Sequence, residues 1–191
     1  MKPINGYETT QAYDGSVERV TPGGHVCKIL SAREDQPIGS GPQLVLALEI
    51  AEGGPQDGIG RRIYNSRASG SASGEVRWPI VFRQFTTQRD GTCSPFFKGM
   101  IKCIEESNLG YKWDWDEKRL SGLLVGVIFR EEEFEDRSGK VATTVRPAFI
   151  RSTQRIREGV PVPEIKRLQQ STAAAAPQAG FTEVQDDDLP F

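Results

Sequence analysis

Six arginines fall between positions 61 and 89, at Arg61, Arg62, Arg67, Arg77, Arg83 and Arg89, against a single acid, Glu75. Tyr64, Trp78, Phe82 and Phe85 are interleaved with them. A guanidinium is a planar fork of donors that matches phosphate oxygens and also stacks on π-faces. An aromatic ring offers a face on which any nucleobase can lie. Arg146 and Arg151 add two cations to a later extended segment. The competing reading is a core role, since a Trp or Phe in a strand more often fills the interior than meets a ligand. Tyr64 and Trp78, beside arginines, are the first choices for contact; Phe82 and Phe85 cannot share one side of a regular strand, so at least one of them belongs to the core.

Catalytic chemistry finds less material. His25 is the only histidine and has no serine or cysteine motif around it. No Gly-x-x-x-x-Gly-Lys-Ser/Thr run is present, which argues against an NTPase. Asp114, Asp116, Glu117 and the acids from Glu131 to Asp136 are of the type that holds Mg²⁺ in a nuclease, although acids at a hairpin end are ordinarily a solvated face. Cys27, Cys93 and Cys103 are odd in number and lack Cys-x-x-Cys spacing, so they read as reduced core residues rather than a disulfide frame or a metal site. The expectation is a protein with no catalytic residues, no metal and no cofactor.

These residues need a scaffold, and 191 residues with 37% hydrophobic and 26% charged content provide one domain of ordinary soluble type. No apolar run approaches the roughly 20 residues of a membrane span, and the first residues lack the apolar stretch of a signal peptide, so a cytoplasmic protein without membrane contact is expected. Residues 1–22 read as a polar, loose arm. Strands are expected over His25 to Ala32 and over Gln43 to Ala51, where Leu44, Leu46, Leu48 and Ile50 alternate. Ile59 to Asn65 reads as a third strand, Ser66 to Gly74 as a mobile loop able to close over a bound strand, and Glu75 to Phe85 as extended, with Pro79 arguing against a central position. Ser94-Pro95 is a helix start, and Phe97, Met100, Ile101 and Ile104 at i, i+3, i+4 and i+7 make one apolar stripe. A helical turn is expected at Asp116 to Leu120, then a hairpin built from Leu123 to Phe129 and Val141 to Arg151.

Three strands, a helix and two strands match the five-stranded Greek-key barrel called the OB-fold, with the helix between strands three and four. The barrel is assigned residues 23–165. After it, residues 166–185, with Ala173 to Ala176 and Pro177, read as a flexible linker. The chain then runs through Glu183, Asp186, Asp187 and Asp188 to Leu189, Pro190 and Phe191, with no cation. Like charges and few apolar groups keep such a segment extended, and a terminal ring carrying a carboxylate suits a pocket rimmed by Lys or Arg. Of the net charge of -2, these four acids carry -4, so the body with 24 basic and 22 acidic residues is +2.

Asp186 to Phe191 resembles the C-terminal tip of bacterial single-stranded DNA-binding proteins, in which Asp-Asp-Asp-hydrophobe-Pro-Phe recruits replication and repair enzymes. The body pattern looks like small OB-fold proteins of bacteriophages and mobile elements. The resemblance implies a sequence-independent binder of single-stranded DNA in a bacterial cytoplasm. Arg61, Arg62, Tyr64, Arg67, Arg77, Trp78, Phe82, Arg83, Arg89, Arg146 and Arg151 would face the strand, and Asp186, Asp187, Asp188, Leu189, Pro190 and Phe191 would face replication, recombination or repair enzymes. Two other readings stand beside it: a protein-only adaptor or decoy that occupies the docking pocket of host enzymes, and the Mg²⁺-dependent nuclease. Whether the chain self-associates is left open by the sequence.

Overall fold

The computed structural model describes residues 2–8, 18–52, 54–71 and 76–168. Five antiparallel strands make one open sheet: β1 (Gly23–Asp35), β2 (Gln43–Ile50), β3 (Val81–Phe85), β4 (Leu124–Glu135) and β5 (Val141–Arg151), in the spatial order β3-β2-β1-β4-β5. Three helices accompany it: α1 (Ile59–Gly70), α2 (Pro95–Ser107) and the short α3 (Thr153–Arg157). The protein is therefore mainly β. Although β3 and β5 lie at opposite ends of the sheet order, their Cα atoms come within 8 Å of one another. The sheet is curled, yet no hydrogen-bonded ladder joins these two edges among the described residues.

Burial follows the alternation seen in the sequence. Leu44, Leu46, Leu48 and Ile50 of β2 are buried, as are Cys27 and Ile29 of β1, Val125, Val127 and Phe129 of β4, and Phe82 of β3. The α2 stripe of Phe97, Met100, Ile101 and Ile104 packs into the same core, contacting β3, β4 and β5. The helix begins as expected: the Ser94 side chain accepts the Phe97 N–H and Pro95 occupies the first turn. The turn at Glu117–Leu120 is a 3-10 helix, and it buries Leu120. β4 and β5 form the expected hairpin around Asp136 to Lys140.

One expected strand is a helix. Ile59 to Asn65 forms the first half of α1, and residues 66–70 of the expected mobile loop form the second half; residues 72–74 of that loop lie outside the described residues. Ile59 and Ile63, four residues apart, are the buried side of α1, which is the helical spacing rather than the alternation of a strand. The segment has no N-cap side chain of its own, since Gly58 with φ of 67° precedes it. The cap comes instead from β2: Gly60 N–H and Arg61 N–H donate to the Glu49 carboxylate at 2.7 and 2.8 Å. No local motif announces such a distant cap. The third strand of the sheet is instead Val81–Phe85, an edge strand as Pro79 suggested.

Both ends of the described domain are anchored further out than expected. In the supposed loose arm, Val20 is buried, Glu18 pairs with Arg62 at 2.9 Å, and Thr21 N–H donates to Gln56 Oε1 at 3.0 Å. Past α3, Lys166 bridges to Glu132 alongside β4, exchanging backbone hydrogen bonds with Glu131 and Glu133 at 2.9 Å. α3 itself lies on the glycines of β1 and β4. A Cβ at Gly126 would stand 2.5 Å from Ile156 Cγ1 and 2.7 Å from Ser152 O, and one at Gly24 would stand 2.5 Å from Val160 Cγ2. No helix of the described residues is long and apolar enough to cross a membrane.

Candidate functional site

The face of β1, β2 and β3 turned away from the core is organised in rows by the strand register. Arg33 pairs with Val45 and Val45 with Arg83; Ser31 pairs with Ala47 and Ala47 with Val81; Asp35 pairs with Gln43 and Gln43 with Phe85. Arg33 and Arg83 thus stand on either side of a small apolar floor. Because the sheet curls, β5 supplies the opposite wall through Thr144 to Pro147, and the space between is a groove of about 970 Å³. Arg67 from α1 and Arg77 from the segment before β3 complete its lining. Five arginines, Arg33, Arg67, Arg77, Arg83 and Arg146, therefore converge on one groove that carries a single acid, Asp35.

These cations are available. Arg67, Arg77, Arg83 and Arg146 have no ion pair among the described residues, and Arg33 has only a long contact of 3.8 Å to Asp35 with both side chains well exposed. Such an exposed pair contributes little and holds neither partner tightly. Several like charges around one trough attract a polyanion and raise its encounter rate.

The expected site residues separate into those at the groove and those elsewhere. Arg67, Arg77, Trp78, Arg83 and Arg146 line it. Trp78 is half-buried there: its indole N–H donates to Leu48 O at 2.7 Å, and its ring packs on Tyr64 with centroids 5.5 Å apart. Tyr64, on α1, braces Trp78 and does not line the groove. Phe82 is in the core, and Phe85 takes the outer face at 47% exposure. Arg62 is committed to structure, holding Glu18 and the Pro55 and Asp57 carbonyls. Arg61 and Arg89 are exposed outside the groove, Arg89 in the turn between β3 and α2, and Arg151 lies over the Phe149 ring farther along β5. The tip, Asp186 to Phe191, lies outside the described residues.

Arg33, which the sequence does not single out, belongs to this face, and so does Phe85, which the sequence weighs against Phe82 without placing it among the residues facing the strand. Cys27 and Ile29 are buried, so plain alternation along β1 would have turned Arg33 inward; a register shift between Ile29 and Ser31 reverses the phase, places Ala32 against the core and turns Arg33 outward. Phe85 is three residues beyond the core residue Phe82, which in a strand places it on the other side.

The remaining chemistry-bearing groups are accounted for structurally. His25 Nε2 contacts the Thr21 carbonyl at 2.9 Å and the ring packs edge-on against Phe129. No group of three or more His, Cys, Asp or Glu among the described residues is placed to hold a metal ion. Arg119 pairs with Asp114, Asp116 accepts the Lys118 N–H at 3.1 Å, and Glu132 pairs with Arg130 at 2.8 Å. Burial pushes the Cys27 thiol far above its ordinary range and also raises Cys103, whereas Cys93 is exposed. Trp113 packs edge-on against Phe97, and Trp115, with φ of 69°, is exposed. No protein-family model matches the chain, and no curated protein matches it either.

Proposed function

We propose that the chain is a non-enzymatic binder of single-stranded nucleic acid, DNA in the first instance, whose C-terminal tip recruits other proteins. The observation that carries this is the convergence of Arg33, Arg67, Arg77, Arg83 and Arg146 on one groove over an apolar floor, with Phe85 exposed on the same sheet face and Trp78 half-buried in the wall. Backbone phosphates meet the guanidinium forks, and bases stack on exposed rings, a combination that tolerates any sequence. The strand order β3-β2-β1-β4-β5, α2 between β3 and β4, and the approach of β3 to β5 support reading the curled sheet as an OB-fold, whose ligands lie across the strand 2 and 3 face. The tip's resemblance to single-stranded DNA-binding proteins supports the same reading from a separate part of the chain.

Fluorescence anisotropy of a labelled oligo-dT tests it. With about four phosphates neutralised, log K should fall against log salt with a slope of roughly -3. Absence of binding, or a slope near zero, removes the groove reading and leaves an adaptor that binds proteins alone. Mg²⁺-dependent loss of the labelled strand would reveal a nuclease.

A further inference from the structure

The outer face of the sheet does not end at the groove wall. Along β5, Arg146 lines the groove, and Phe149 and Arg151 follow it on the same outer surface past an irregularity in the ladder opposite Ile128 and Phe129. On β4, Arg130 pairs directly with Arg146. The ring of Phe149, 41% exposed, is flanked by two guanidiniums: Arg130 Cζ lies 5.6 Å from its centroid and Arg151 Cζ 5.8 Å. Beside the ring, a depression of about 430 Å³ is lined by Phe149, Arg151, Arg155 and Glu158, the last two 3.8 Å apart in an exposed ion pair.

The two guanidiniums are held differently. Arg130 is largely buried and fixed by its ion pair to Glu132 at 2.8 Å, yet its Nε–H is buried without a hydrogen-bond partner. Arg151 is exposed, makes no ion pair among the described residues, and donates only to the adjacent Ile150 carbonyl at 2.8 Å. One cation over the ring is therefore a fixture, and the other is free to leave it. An exposed phenylalanine ring with two cations close to it is a good surface for a planar ligand that carries negative charge.

We infer that Phe149, with Arg130 and Arg151, is a second stacking platform for single-stranded nucleic acid, one that extends the groove's path along β5. The inference rests on the groove reading. A strand leaving Arg146 travels about 10 Å, three strand residues, to reach Phe149. A base then takes the place of Arg151 on the ring, and the Arg151 guanidinium turns to the adjoining phosphate. Arg130 stays and holds the ring in position.

Oligo-dT of two lengths, about 6 and about 20 nucleotides, separates the platform from the groove, since single-fold sites span roughly 4 to 16 nucleotides. Phe149→Leu keeps an apolar side chain and removes the π-face; Phe149→Tyr keeps both. Phe149→Leu should bind the longer strand about 5- to 150-fold more weakly and the shorter one as the wild type does, with Phe149→Tyr close to wild type on both. A wild-type protein that binds neither length overturns the groove reading and the platform with it. Wild-type binding with Phe149→Leu unaffected on the longer strand, or equally weakened on both lengths, overturns the platform alone. Should Phe149→Leu unfold, crosslinking of wild-type protein to the longer strand carrying 5-iodouracil decides: a crosslink at Phe149 upholds the platform, and crosslinks confined to other residues overturn it.

Discussion

Trp78 and Phe85 are both aromatic and both border the groove, but they do different work. Trp78 spends its N–H on Leu48 O and its ring on Tyr64 and on Gly60, where an added Cβ would come within 3.0 Å of the indole. Trp78→Ala should therefore lower stability by about 3 kcal/mol, visible in chemical unfolding. Phe85 packs far less, so Phe85→Ala should leave stability within about 1 kcal/mol of wild type while weakening oligo-dT binding by about 1 to 3 kcal/mol. Unchanged binding in Phe85→Ala would take that ring out of the interface. The arginine cluster was plain in the sequence because charge counts need no geometry. Which arginines meet was not: Arg62 is taken up by Glu18, while Arg33, some thirty residues upstream of the cluster, joins the groove through strand register.

Among the elements, α3 has no counterpart in the sequence reading, and α1, a helix where a strand is expected, departs from it for a physical reason. Its mean sequence character is weak, with Gly60, Arg61 and Arg62 following Ile59, and it is stabilised by a carboxylate on β2 that the local sequence does not contain. A carboxylate at a helix N-terminus satisfies free N–H groups and faces the positive end of the dipole. Glu49→Ala should destabilise the fold by about 1 to 2 kcal/mol and reduce far-UV helix signal, whereas retention of both would show that α1 stands without its cap. α2 was legible because its cap, its proline and its stripe are all local. For α3, Gly126→Ala should cost about 1 to 3 kcal/mol by pressing a methyl group against Ile156 and the Ser152 carbonyl. The β4–β5 turn has a pH signature. Asp136 accepts from the Ser138 hydroxyl at 2.6 Å and from the Ser138 and Lys140 N–H groups at 2.7 and 3.0 Å, which holds its carboxyl below the usual range. A depressed carboxyl stabilises the fold above its unfolded value, near pH 4, and that contribution fades as pH falls through the lower folded value. Thermal unfolding of Asp136→Ala should accordingly differ most from wild type at neutral pH, and the gap should narrow under acid.

At the scale of the whole molecule, charge is divided between a basic groove and an acidic terminus, and the two are proposed to meet different partners. Removing residues 186–191 should leave oligo-dT binding at or slightly above the wild-type level at low salt, since a competing polyanion is lost, while pull-down of replication or repair enzymes from a bacterial lysate should fail. Loss of oligo-dT binding in that truncation would assign the tip to the groove instead. The walls of that groove are β3 and β5, which lean together without a ladder between them. Each wall then carries amide protons with no partner strand, exposed to solvent turnover, whereas β2, paired with β1 and β3 at once over Gln43–Ala47, keeps its own sheltered. Deuterium should enter β3 and the outer half of β5 within seconds and the doubly paired stretch of β2 last of all. A ligand laid across the gap would act as a brace, slowing uptake in both walls at once though it touches few of their amides.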